Sequence, residues 1–148
     1  MSSKGSSSAQ NKPVLLKLTI NSGGASPSPP VGPALGQRGV KAMDFCRQFN
    51  DLTKPLYLPS TPLRCHVTVM PDRTFTMTVS TPPTSWLLKR AAGLTKAVSA
   101  KTNAKIDARY VYEIARIKKK DPSNSHLDLR GVFRMIVAQA RLIGIKVF

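Results

Sequence analysis

The chain has 148 residues, 41% of them hydrophobic, with a formal net charge of +16 and a pI near 10.6. That content supports one ordinary domain or two small ones and excludes a wholly disordered chain. So large a positive charge implies a polyanionic partner, nucleic acid first and an anionic membrane surface second.

No run of 18 apolar residues occurs, so no segment reads as a membrane span. Cys46 and Cys65 make neither a disulfide framework nor a metal site, and both read as small buried hydrophobes. The first twelve residues, Met1 to Lys12, are Ser-rich and lack hydrophobic period, so they read as a disordered tail. They also lack the apolar core of a secretory signal.

The first ordered element is a strand at Val14–Ile20, where Val14, Leu16, Leu18 and Ile20 alternate with Leu15, Lys17 and Thr19. A glycine-containing loop follows. Then comes Pro27 to Val40, with four prolines and three glycines. Proline fixes φ and removes a donor, so this run reads as a stiff, exposed ledge with little side-chain bulk, neither central strand nor helix interior. It matches neither G-x-x-x-x-G-K-[ST] nor G-x-G-x-x-G.

Val40 to Asn50 has helical spacing, with Ala42, Phe45, Cys46 and Phe49 on one stripe. Thr53 to Pro62 reads as a loop. Leu63–Met70 and Arg73–Ser80 alternate as strands around a Pro71-Asp72 turn, predicting a hairpin. His66 falls on the polar face of its strand and reads as solvent-facing. Residues 13–80 thus predict a small α+β domain, a three-stranded antiparallel sheet with a helix. Thr81-Pro82-Pro83-Thr84 predicts a short stiff linker.

Residues 85–148 predict an all-helical, three-helix domain. Ser85–Ala92 is its first helix, with Trp86 and Leu87 expected inward, Lys89 and Arg90 outward, and Gly93 as C-cap. Leu94–Lys105 reads as a small-residue, polar loop carrying Lys96, Lys101, Asn103 and Lys105. Asp107 is placed to cap a helix running to about Lys118, with Ala108, Val111, Tyr112 and Ala115 as its core stripe. Glu113, the only glutamate, is positioned to pair with Arg109 or Arg116. Lys118-Lys119-Lys120 is expected to be solvated at the helix's negative end.

The last helix spans about Asp128 to Ile143, with Gly144 as its stop. Leu129, Val132, Phe133, Ile136, Ala140 and Ile143 are expected to face the core. Arg130, Arg134 and Arg141 fall within roughly 40° of one another on a different face. Ile145–Phe148 has the choice of terminal strand or packed tail. From Trp86 onward there are 14 Lys/Arg against four acids, and before it nine against three. Phosphate neutralisation by such a half makes affinity steeply salt dependent. His66 and His126 lie in separate halves without a nucleophile partner, and no serine elbow occurs. The chain therefore reads as a binding protein, not an enzyme, with no cofactor, metal or small-molecule substrate.

Pro27–Val40 resembles the signature of the bacterial-type L-eleven family of large-subunit ribosomal proteins. Further blocks match in order: Phe45–Asn50, Asp72–Thr76, Pro82–Thr84, Leu87–Gly93, Glu113–Ala115, Ala140-Arg141 and Gly144. The resemblance implies a structural constituent of the large subunit at the stalk base, the GTPase-associated centre. Its implied partners are large-subunit rRNA, stalk ribosomal proteins and translational GTPases such as elongation factors. RNA contact would fall to Lys89, Lys101, Asn103, Lys105, Arg130, Arg134, Ala138, Gln139 and Arg141. Pro27, Pro30, Gly32, Pro33 and Gly36 would face factors and thiopeptide antibiotics.

The chain departs from the family where Ala138–Leu142 replaces a Gly-Thr-Ala-Arg-Ser string, and in a shorter loop after Gly93. With the Ser-rich tail, these departures resemble an organellar member, so the expected location is the mitochondrial matrix, with bacterial-type cytoplasm or plastid as alternatives. Two other classes stand beside this one. The helical half resembles three-helix modules that place a last helix in the DNA major groove. A basic peripheral membrane protein comes third, lacking a wide leftover apolar helix face.

Overall fold

The computed structural model describes residues 12–94 and 104–148. It is an α+β chain of two compact units that divide between Val79 and Ser80.

The first unit is built on strands β1 (Val14–Asn21), β2 (Pro62–Val69) and β3 (Phe75–Ser80), ordered β1-β2-β3. β1 pairs antiparallel with β2 in a register that sets Lys17 opposite His66 and Thr19 opposite Arg64. Period-two alternation puts Leu63, Cys65, Val67 and Val69 in the core with Leu16, Leu18, Ile20, Phe75, Met77 and Val79. Pro62 opens β2, the position in a strand where a missing donor matters least. At the β2–β3 turn Arg73 adopts φ +67°, and the Thr74 hydroxyl and amide both donate to Asp72. Those bonds hold the Asp72 carboxyl below its ordinary range.

Helix α2 (Ala42–Thr53) covers that apolar face with Phe45, Cys46 and Phe49. Phe45 stacks on Phe49 at 6.0 Å between centroids and meets Phe75 edge-on at 5.8 Å. Both cysteines are free and buried, as their apolar spacing suggests. His66 is half-buried rather than fully exposed.

The Pro/Gly run is exposed as expected at Pro27, Pro30, Pro33 and Gly36, but it is not free of helix. Val31–Gly36 closes into a short helix, α1, that drives Val31 and Leu35 into the core. Pro33 is tolerated because it sits in the first turn, where its missing donor would have had no intrahelical acceptor.

The second unit contains α3 (Thr84–Ala91), α4 (Ala108–Lys119), a 3-10 turn at Pro122–Asn124, and α5 (Leu129–Ile143). It is not all-helical. β4 (Ala104–Ile106) pairs in parallel with β5 (Ile145–Val147), joining the approach to α4 to the exit from α5. The core gathers Leu88, Ile106, Val111, Ile114, Ala115, Val132, Ile136, Ala140 and Ile145. Leu88 is the sealed residue of α3; Trp86 and Leu87 are half-buried, and Arg90 lies 5.2 Å over the Trp86 ring. On α4, Ile114 takes the inward place expected of Tyr112, which is 47% exposed. Lys118 is also a correction. It is buried, and its Nζ donates to Thr81 Oγ1 at 2.8 Å.

Thr81 therefore belongs to the second unit's fabric. Its amide and hydroxyl donate to the two oxygens of Asp121 at 2.8 and 2.6 Å. Thr84 already lies in α3. The tail 1–11 and residues 95–103 lie outside the described residues.

Candidate nucleic-acid interface

The Asp107 carboxylate accepts the Arg109 amide at 2.8 Å, which fixes the start of α4 and the turn out of β4. At the far end of the unit Gly144 stops α5 with φ +86°, a left-handed geometry that costs a residue with a Cβ. Between those fixed ends α5 turns Val132, Ile136 and Ala140 inward.

Its outward side carries the arginines. Arg130, Arg134 and Arg141 are all exposed, and Ala138 is exposed beside them. A Cβ at Gly131 would meet nothing within 4 Å, so that flank is open. The helix thus presents a row of guanidinium groups beside two small residues, Gly131 and Ala138, with Met135 and Leu142 exposed on the same flank. Gln139 is half-buried and falls on the other edge of the helix, away from the arginine row.

Lys105 is exposed on β4, and the parallel register sets it directly opposite Lys146 on β5, also exposed. Like charges facing each other across strands repel unless an anion lies between them. Sequence spacing does not single out Lys146. Its partner is 41 positions away, and only the parallel pairing reveals the match. Lys89 is half-buried on α3. Lys101 and Asn103 lie outside the described residues.

In the first unit Pro27, Pro30, Pro33 and Gly36 are exposed and Gly32 is half-buried. A Cβ at Gly32 would overlap the Pro27 carbonyl oxygen, so the backbone closes on itself there and only glycine fits. The loop before the run is pinned to α2. Asn50 donates to the Ala25 carbonyl at 3.1 Å and accepts the Ala25 amide at 3.0 Å. Thr53 Oγ1 accepts from Gly23 N at 3.2 Å. A hydroxyl-rimmed hollow of about 170 Å³ lies beside the run, lined by Thr19, Ser26, Ser28, Pro29 and Pro30. A second, larger cleft of about 620 Å³ is lined by Lys12, Arg38 and Arg73 without a carboxylate.

Among the described residues no group of three His, Cys, Asp or Glu is placed to hold a metal ion, and no helix is long and apolar enough to cross a membrane. A basic α+β chain of two units, with a row of exposed arginines on its last long helix, has the surface of a nucleic-acid-binding protein.

The chain belongs to the ribosomal protein L11 family. Residues 16–75 match the family's N-terminal domain and residues 80–147 its RNA binding domain. It is 40% identical over 142 residues to the large ribosomal subunit protein uL11m of Schizosaccharomyces pombe, covering 94% of this chain and 98% of that protein. It is 38% identical over 156 aligned positions to the protein of the same name from Caenorhabditis elegans, covering 99% of this chain and 80% of that one. The match to an RNA binding domain removes the DNA-binding alternative.

Proposed function

We propose that this chain is a structural constituent of the mitochondrial large ribosomal subunit, gripping folded large-subunit RNA with α5 and presenting residues 27–36 to translation factors. The observation that carries the first part is the α5 surface. Folded RNA offers phosphates and a wide, shallow minor groove read by shape and 2′-hydroxyl contact. Exposed Arg130, Arg134 and Arg141 suit the phosphates, and the small residues Gly131 and Ala138 lie beside them with exposed Met135 and Leu142 available to a sugar or base face. Lys105 and Lys146 add a paired charge at the unit's sheet. Both relatives are mitochondrial large-subunit proteins by name, which supports the compartment.

The second part rests on the Pro/Gly run. Its short helix is anchored inward by Val31 and Leu35 while Pro27, Pro30, Pro33 and Gly36 stay outside. A surface poor in rotatable side chains loses little entropy when a partner docks. Stalk proteins and translational GTPases are the partners such a face would meet. Co-sedimentation with purified mitochondrial large subunits tests the assignment, together with competition between a folded stalk-base RNA fragment and duplex DNA at fixed salt. Retention on the subunit and preference for the folded RNA are expected. Preference for the duplex overturns the proposal.

A further inference from the structure

α5 does not carry all of the second unit's positive surface. α4 turns Val111, Ile114, Ala115 and Lys118 inward and leaves the other side to solvent. At 100° per residue, Arg109, Tyr112, Arg116, Lys119 and Lys120 fall within an arc of about 100°. All five are exposed. The carboxylate at the edge of this arc, Glu113, reaches Arg116 at 3.2 Å, with both side chains 60% exposed. A pair so open to water is worth little and yields readily to a stronger anion. Arg116, Lys119 and Lys120 also line a hollow of about 270 Å³ whose fourth wall is Leu129.

Cations alone would suit any anion. The aromatic ring and the aliphatic wall narrow the choice. An unpaired nucleotide brings a phosphate and an open π-face together, and a cationic groove with an aromatic ring meets both. A duplex hides its base faces. An acidic peptide would use the cations and leave Tyr112 and Leu129 idle.

We propose that this α4 face is a second RNA-contacting surface, separate from the α5 row, and that it takes an unpaired RNA segment. Phosphates lie on Arg109, Arg116, Lys119 and Lys120, and a base lies against Tyr112 or in the hollow floored by Leu129. The second unit then holds two pieces of RNA at once, one folded and one single-stranded. This deepens the RNA-binding function proposed above and rests on it.

The test uses the full chain and three probes: the folded large-subunit RNA fragment, an oligouridylate of about ten nucleotides, within the usual site size for single strands, and poly-glutamate. The variants are Arg116→Ala/Lys119→Ala/Lys120→Ala, Tyr112→Ala, and Arg134→Ala/Arg141→Ala. All the replaced side chains are exposed, so unchanged melting is expected and is checked first. The α4 triple variant should lose at least about tenfold in oligouridylate affinity, with its log–log salt slope reduced by about 2, at roughly 0.7 for each single-strand phosphate no longer neutralised. Tyr112→Ala should lose oligouridylate affinity by about tenfold through loss of stacking, while keeping its affinity for poly-glutamate. The α5 variant should lose the folded fragment and keep the oligouridylate.

Wild-type oligouridylate binding by both α4 variants overturns the inference. So does a triple variant that loses oligouridylate and poly-glutamate equally while Tyr112→Ala loses neither, since that marks a surface for an acidic protein. Unaltered binding of the folded fragment by the α5 variant is a different failure. It strikes the function proposed for α5 and leaves the α4 measurement standing.

Discussion

Lys118 Nζ lies 3.2 Å from Asp121 Oδ2, and both side chains are nearly sealed from water, at 10% and 7% exposure. Thr81 completes the cluster, giving two hydrogen bonds to Asp121 and taking two from Lys118, on its hydroxyl and its carbonyl oxygen. Every polar group in it has a partner, which is what lets two charges remain buried. The cluster ties the first residues of the second unit to the end of α4.

Breaking it from one side should therefore cost more than removing it whole. Asp121→Asn or Lys118→Met alone leaves one buried charge uncompensated, a loss of about 3 kcal/mol. The double variant should lose less than the sum of the two single losses. Urea unfolding of the four proteins measures this. Strict additivity would show that the pair does not act as a unit.

On α5, Arg134→Ala/Arg141→Ala should weaken binding to the folded RNA and flatten its salt dependence. On a duplex, every phosphate left without its cation lowers the log–log slope by about 0.9, so the pair should lower it by about 2. Filter binding between low and moderate salt gives the slope. An unchanged slope would place the phosphates elsewhere.

Gly32 and Gly36 are four residues apart on α1 and should respond in opposite ways. A methyl at 32 overlaps the Pro27 carbonyl, so Gly32→Ala should cost about 2 kcal/mol or more. A methyl at 36 meets nothing within 4 Å, so Gly36→Ala should be neutral or stabilising by up to about 1 kcal/mol. Thermal melting separates them. Gly36→Ala, with its fold intact, should still alter factor-dependent GTP hydrolysis or thiopeptide sensitivity on the ribosome while leaving RNA affinity unchanged.

Burial lifts the Cys65 thiol from 9.0 to about 11. The folded chain then keeps its proton where the unfolded chain gives it up. The stability this confers is whole below pH 9 and drains away as the pH climbs towards 11. Cys65→Val should remove that part of the decline, as read from stability measured across pH 8 to 11. Equal slopes in both proteins would refute it.

The elements that sequence reveals are those whose period repeats long enough to count. The alternation in β1 and β2, and the i, i+3, i+4 spacing of α5, appear in the folded chain within a residue or two of where the pattern puts them. The failures have physical causes. β4 is three residues long and pairs in parallel with a strand some forty positions later, so no local pattern marks it. α1 is masked by its prolines, which a first turn accommodates. On α4 and α3 the expected stripe is off by one step, because Tyr112 and Trp86 are large amphipathic residues whose size suggests burial and whose rings sit at a boundary. Lys118 looks in sequence like one of three equivalent lysines. Only the fold shows that it alone faces Thr81 and Asp121. The arginine row is visible from spacing, but Lys146 and the cationic side of α4 need the packing to show which sides stay wet.

The parallel pairing of β4 with β5 has a practical side. It continues through Phe148: Phe148 N donates to Ile106 O at 3.1 Å, and Phe148 O accepts from Ala108 N at 2.9 Å. Any purification handle or reporter appended after Phe148 must leave that carbonyl free to turn inward, and trimming even three residues strips the approach to α4 of its only strand neighbour among the described residues.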